Sequence, residues 1–215
     1  GDKPNYRRLK YLCKIVVKAL IVNCLYAHSE KNTPSEQVAR EMVRDTLINT
    51  EDSKSGLVVT TFASHIARLK SIVDFGQKLD RKIVFVGRSL AKYVSAGEVI
   101  NQVPFKKNII MATYKKQVEK FLKQANEDRS KYLIVCTGHQ GEKGSILDRM
   151  ARDQLPYKIK EGDHIIFSSK TIPAPETIAS RSDLQNRLKK FNPVIFDNLH
   201  VSGHGSREDL MELIK

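Results

Sequence analysis

Between residues 57 and 196 short apolar runs alternate with amphipathic stretches, and this rhythm sets the expected architecture. The runs at 57–59, 83–86, 132–136, 164–167 and 193–196 are nearly free of polar residues, and a shorter one at 109–111 is a sixth candidate. Near-continuous apolar strands are typical of a parallel sheet buried on both faces. Between them, Ile66, Leu69, Ile72 and Val73 fall on one helical face, and further helices are expected near 90–94, over 118–126, through Ile146, Leu147 and Met150, and over 176–190. The expected fold class is α/β, a parallel sheet with helices on both faces.

The flanks are less regular. Residues 1–20 fit either helix or loop, and the apolar run at 19–22 predicts a buried strand ending at Asn23. Thr33, Pro34 and Glu36 predict a helix start, with Thr33 as N-cap and Val38, Met42, Val43 and Leu47 as the apolar stripe. A polar stretch at 49–56 marks a boundary. At the other end, Ser206 as N-cap and Asp209 at the third helical position predict a last helix over 207–214.

Composition narrows the class. The 215 residues carry 37 Lys and Arg against 24 Asp and Glu, a net charge of +13, which implies a polyanionic partner such as nucleic acid. Cys13, Cys24 and Cys136 are odd in number and sit in apolar runs, so they are expected as reduced core thiols of a cytoplasmic protein. No apolar run approaches the roughly 20 residues of a membrane span. The polar opening at 1–4 does not resemble a secretory signal.

Candidate chemistry gathers where strands are expected to end. There stand Thr60-Thr61-Phe62-Ala63-Ser64-His65, Gly87-Arg88-Ser89, Thr137-Gly138-His139-Gln140-Gly141-Glu142, Ser168-Ser169 and His200-Val201-Ser202-Gly203-His204-Gly205-Ser206. Hydroxyls, glycines and cations on one sheet edge make a rim suited to phosphate. No Walker loop or dinucleotide fingerprint is present, which disfavours a nucleotide-binding enzyme of the Rossmann kind.

These motifs, in this order, resemble the ribonuclease J family, whose metallo-β-lactamase fold carries an inserted β-CASP domain; the Ser64-His65 form resembles the archaeal branch. The resemblance implies a β-CASP domain over 53–197, flanked by partial metallo-β-lactamase segments at 1–52 and 198–215. It implies a zinc-dependent ribonuclease that degrades single-stranded RNA from the 5′ end and sometimes internally. His204 takes the place of the family's histidine at the scissile phosphate, where an imidazolium could stabilise developing charge or protonate the leaving oxygen. A 5′-phosphate pocket is implied at Ser64, His65, Arg68, Arg88 and Ser89, with Gly138, Gln140, Gly141, Ser202, Gly203 and Ser206 adding donors. Phe62 is expected either in the core or as a base-stacking platform. His65 could alternatively cap its helix, Arg68 could pair with an acidic neighbour, and His139 is expected to be structural.

The departures from the pattern bear on activity. The family's His-x-His-x-Asp-His motif does not occur in the sequence, and the bridging metal aspartate corresponds to Asn23, a neutral amide. The expectation is therefore no zinc bound to this chain alone and no nuclease activity without a partner chain or further segment that supplies ligands. A piece of a larger enzyme, one half of a split enzyme, and a degenerate RNA-binding or regulatory relative all fit. Outside the family, a small-molecule α/β enzyme or phosphate sensor would use the same rim, but without salt-dependent binding to RNA.

Overall fold

The computed structural model describes residues 5–15, 17–48 and 54–214. The polar opening at 1–4, Val16 of the first apolar pattern, residues 49–53 of the expected linker and Lys215 lie outside the described residues. The chain forms two compact units, one of residues 38–200 and one of residues 1–37 with 201–215.

The larger unit is built on six parallel strands: β1 (Leu57–Thr60), β2 (Lys82–Val86), β3 (Ile109–Ala112), β4 (Tyr132–Cys136), β5 (His164–Phe167) and β6 (Val194–Phe196). Their order across the sheet is β3-β2-β4-β1-β5-β6. Every pairing is parallel, with Val58 opposite both Ile134 and Ile165. All strand C-termini therefore meet on one edge, which carries the motifs that follow β1, β2, β4 and β5.

Alternate residues feed two separate cores, because successive side chains in a strand point to opposite faces. Val58, Val84, Ile134 and Ile165 join one core with Val118 and Leu122 of α5 (Lys115–Glu127), Leu147 of α6 (Ile146–Ala151) and Leu184 of α7 (Pro175–Lys189). Leu57, Val59, Ile83, Phe85, Leu133 and Ile166 join the other. Their partners are Val43 and Leu47 of α2 (Glu36–Ile48), Leu69 and Ile72 of α3 (Ile66–Lys78), and Leu90 and Val94 of α4 (Arg88–Val99). This two-sided burial is why the strands read as unbroken apolar runs. It also draws α2 from Val38 onward into the larger unit, upstream of the polar stretch at 49–56.

The smaller unit contains α1 (Tyr6–Cys13), the start of α2, and α8 (Arg207–Ile214). Three expectations are corrected here. The run at 19–22 forms no strand: Ile21 is 95% exposed, and the backbone pairing in this unit, among the described residues, is an isolated parallel bridge between Tyr26 and Ser206. An apolar run without a partner ladder has nothing to make it a strand. Thr33 does not cap α2; its hydroxyl donates to the His204 carbonyl at 2.7 Å and its N–H to Asp209 Oδ2 at 3.1 Å. Cys13 and Cys24 are exposed, and only Cys136 is a core thiol.

Candidate nucleic-acid interface

A concavity on the strand-end edge lies over β2, β3 and β4, a cleft of about 510 Å³. Gly87, Arg88 and Ser89 enter it from the turn between β2 and α4, Thr113, Tyr114 and Lys115 from the turn into α5, Thr137 and Ser145 from the β4–α6 connection, and Arg149 from α6. Gly87, at φ +115°, turns the chain directly from strand to helix, and no side chain caps α4 there. The first N–H groups of that helix and its positive dipole end are thus left for an anion. Arg88 and Ser89 are exposed. Three cations, Arg88, Lys115 and Arg149, face one carboxylate in the lining, Glu119, which stands 3.9 Å from Lys115.

Lys115 and Arg149 are absent from the sequence-derived set. Arg149 lies four residues beyond Ser145, whose hydroxyl caps α6, so it shares the helix face above that cap. That spacing is the signal by which it could have been found.

Elsewhere on the rim the structure gives several candidates another role. Arg68 is 0% exposed, and its Nη1 donates to the Ser168 carbonyl at 3.1 Å, the Ser168 hydroxyl at 2.8 Å and the Leu199 carbonyl at 2.7 Å. It ties α3 to the segments after β5 and β6 from inside. His65 caps α3, its Nδ1 accepting from the Arg68 N–H at 3.3 Å. Gln140 clamps the loop after β5, donating from Nε2 to the Lys170 carbonyl at 2.9 Å and accepting from the Ile172 N–H at 3.0 Å. The Gly141 N–H closes a turn onto the Gly138 carbonyl at 3.1 Å. Ser64 remains exposed.

Phe62 is half-buried and packs edge-on against His139 with ring centroids 4.0 Å apart. His139 is only 3% exposed, and neither of its ring nitrogens makes a well-formed hydrogen bond. Burial, then the nearby charge of Arg181 and of His200, lowers its pKa to about 4, against a small opposing effect of the Thr61 backbone. It is a neutral, structural ring at physiological pH. Arg181, a buried cation not foreseen from the sequence, stacks on Phe167 at 3.3 Å and pairs with Asp197 at 2.9 Å.

In the smaller unit, the loop at 201–206 is held by its own polar groups. The His204 N–H donates to Ser202 Oγ at 3.1 Å, and the half-buried His204 ring stacks near Tyr26 at 6.2 Å. Ser206 and Asp209 form the expected box: the Asp209 N–H donates to Ser206 Oγ at 3.2 Å, and the Ser206 N–H to Asp209 Oδ2 at 2.9 Å. Gly203 is exposed, whereas Ser206 is buried in this cap.

The chain has matches among known proteins. The family described as "Ribonuclease J, beta-CASP domain" matches residues 54–183, more than half the chain. The chain belongs to the ribonuclease J family. It is 40% identical to the ribonuclease J of Pyrococcus abyssi over 215 residues, all of this chain and 47% of the relative. It is 38% identical to that of Methanocaldococcus jannaschii, again over all of this chain and 48% of the relative. The ribonuclease J of Helicobacter pylori strain J99 is 33% identical over 97% of this chain and 29% of its own length. The chain thus spans about half the length of the first two relatives.

Ribonuclease J proteins are metal-dependent in general, and the residues described here do not fit a metal centre. Among them no three His, Cys, Asp or Glu side chains stand close enough to hold an ion. Asn23, at the position that the resemblance gives to a bridging aspartate, accepts the Leu25 N–H on its amide oxygen at 3.0 Å. Among the described residues no helix is long and apolar enough to cross a membrane.

Proposed function

We propose that this chain is the RNA-binding portion of a ribonuclease J-like 5′–3′ exonuclease, gripping the phosphates of single-stranded RNA while zinc-dependent hydrolysis belongs to the intact enzyme. The observation that carries this reading is the cleft at the ends of β2, β3 and β4, where Arg88, Lys115 and Arg149 meet the uncapped start of α4. A terminal phosphate brings more charge than an internal one and gains most from converging cations and N–H donors. Ser64, Ser89 and the loop around Ser202, Gly203 and His204 are the other groups proposed to touch RNA, with His204 at the scissile phosphate. Arg68, His65, Gln140, Gly138 and Gly141 serve by holding the rim in shape.

Alone, the chain is proposed to bind RNA without cleaving it. Asn23 supports this, because a neutral amide does not bridge two cations as a carboxylate does. The deciding test is fluorescence binding of a short single-stranded RNA with a 5′-monophosphate or a 5′-hydroxyl, to wild type and Arg88→Ala. A phosphate preference that Arg88→Ala removes supports the reading; equal binding of both ends by wild type overturns it. A parallel assay with added zinc or manganese tests inactivity, and turnover abolished by His204→Ala would refute it.

A further inference from the structure

Beside the cleft lies a second concave surface with no part in the reading above. It is a groove of about 620 Å³ between α5 and the segment following α6, lined on one side by Lys116, Lys120 and Lys123 and floored by Leu155 and Pro156. Glu119 and Leu155 line both this groove and the cleft, so the two adjoin. The three lysines follow at i, i+4 and i+7 and so form one stripe. Across seven residues at 1.5 Å each the stripe extends roughly 10 Å along the helix.

The charges show more than a solvated helix face. The groove's two carboxylates are each beside a lysine: Asp153 pairs with Lys158 at 2.7 Å, and Glu119 stands 3.9 Å from Lys115. Lys116, Lys120 and Lys123 are exposed, and among the described residues none of them is in an ion pair. The opposite face of the same helix buries Val118, Leu122 and Ala125, which fixes the stripe's direction. A row of exposed cations over an apolar floor, next to a phosphate-seeking cleft, is complementary to a flexible polyanion.

We propose that the outer face of α5 is a second binding track for the backbone of single-stranded RNA, engaged by nucleotides beyond those held in the cleft. This rests on the cleft binding RNA, and the experiment separates the two. The 215-residue chain, its Lys116→Ala/Lys120→Ala/Lys123→Ala variant and Arg88→Ala are titrated with 5′-phosphorylated RNAs of about four and about twenty nucleotides, matching the lower end of common single-strand site sizes and exceeding them. Each variant is first checked for an unchanged far-UV spectrum and melting temperature, which exposed Lys→Ala changes on a helix should preserve.

The triple variant is expected to bind the long RNA about tenfold more weakly. Its salt dependence should be shallower by about 2, from about 0.7 per lost phosphate contact, and its affinity for the short RNA should be unchanged. Undiminished binding of the long RNA by the triple variant, with the short RNA still dependent on Arg88, overturns the track alone. Failure of wild type to bind the short RNA overturns the cleft reading itself. Equal weakening of both lengths also overturns the track, since it would place the lysines in the cleft's own field.

Discussion

The guanidinium of Arg68 reaches Ser168 twice, at the carbonyl and at the hydroxyl, from a position with no solvent exposure. One cation so engaged fixes the start of α3 against the end of β5, and through the Leu199 carbonyl against the segment beyond β6. Replacing it leaves the Ser168 carbonyl with the Thr61 hydroxyl and the Leu199 carbonyl with the Ser168 hydroxyl, and empties the buried space that held the guanidinium. Arg68→Ala is expected to lower the unfolding free energy by about 3 kcal/mol, measured by urea denaturation. A loss below about 1 kcal/mol, or reduced RNA binding with unchanged stability, would return Arg68 to the ligand-contacting set.

His139 makes stability depend on pH. Its pKa is about 4 in the fold and about 6.5 when unfolded. Between these values the unfolded chain binds the extra proton, so this contribution is fully present above about 6.5 and is lost as pH falls towards about 4. The whole effect amounts to up to about 3 kcal/mol. His139→Gln should therefore show a smaller drop in unfolding free energy between pH 7 and pH 5 than wild type; equal drops would mean that the ring is not held neutral.

Two left-handed glycines in the connection between β4 and α6 separate crowding from backbone strain. A Cβ on Gly141, at φ +80°, would fall 2.2 Å from the Ser180 carbonyl oxygen, whereas Gly144, at φ +76°, has nothing within 4 Å. Gly144→Ala should cost about 1 kcal/mol from conformation alone. Gly141→Ala should cost clearly more, because the α7 backbone must move. Thermal melts of the pair decide it, and equal costs would contradict the close approach.

What the sequence made legible follows from how local each signal is. The six strands were readable because both of their faces are buried, so Val58 and Val59 are equally apolar although they feed different cores. The Ser206–Asp209 box was readable because it spans three residues. Thr33 has the same local pattern, but its hydroxyl bonds to a carbonyl 171 residues away, and no local rule contains that. The run at 19–22 looked like a strand because periodicity cannot register a missing partner. On the rim, the ends of the apolar runs placed most of the motifs on one edge of the sheet. Whether a side chain such as Arg68 or Gln140 faces solvent or the interior depended on crossover packing, and the same packing brings Lys115 and Arg149 to the cleft.

The box at α8 is itself testable. Hydrogen bonds from the Ser206 and then the Thr33 backbone hold the Asp209 carboxyl below the usual carboxylate range. Asp209→Asn weakens both, and a lost cap costs about 1 kcal/mol. Hydrogen exchange should show faster exchange in the first turn of α8 with the sheet amides unaffected. Uniform acceleration across the chain would instead tie this helix to global stability.

Arg149 offers the sharpest check on the cleft, because the sequence did not nominate it. It lines the same concavity as Arg88 and is half-buried, so its stem is fixed and its charge is less screened than that of a free lysine. If one phosphate sits between the two guanidiniums, each single Ala variant should lose most of the preference for a 5′-monophosphate. The double variant should then lose little more, because removal of either cation already breaks the shared site. Additive losses would indicate two independent phosphate contacts along the strand. Wild-type preference in Arg149→Ala would remove this residue from the interface and leave Arg88 and the start of α4 as the anion site.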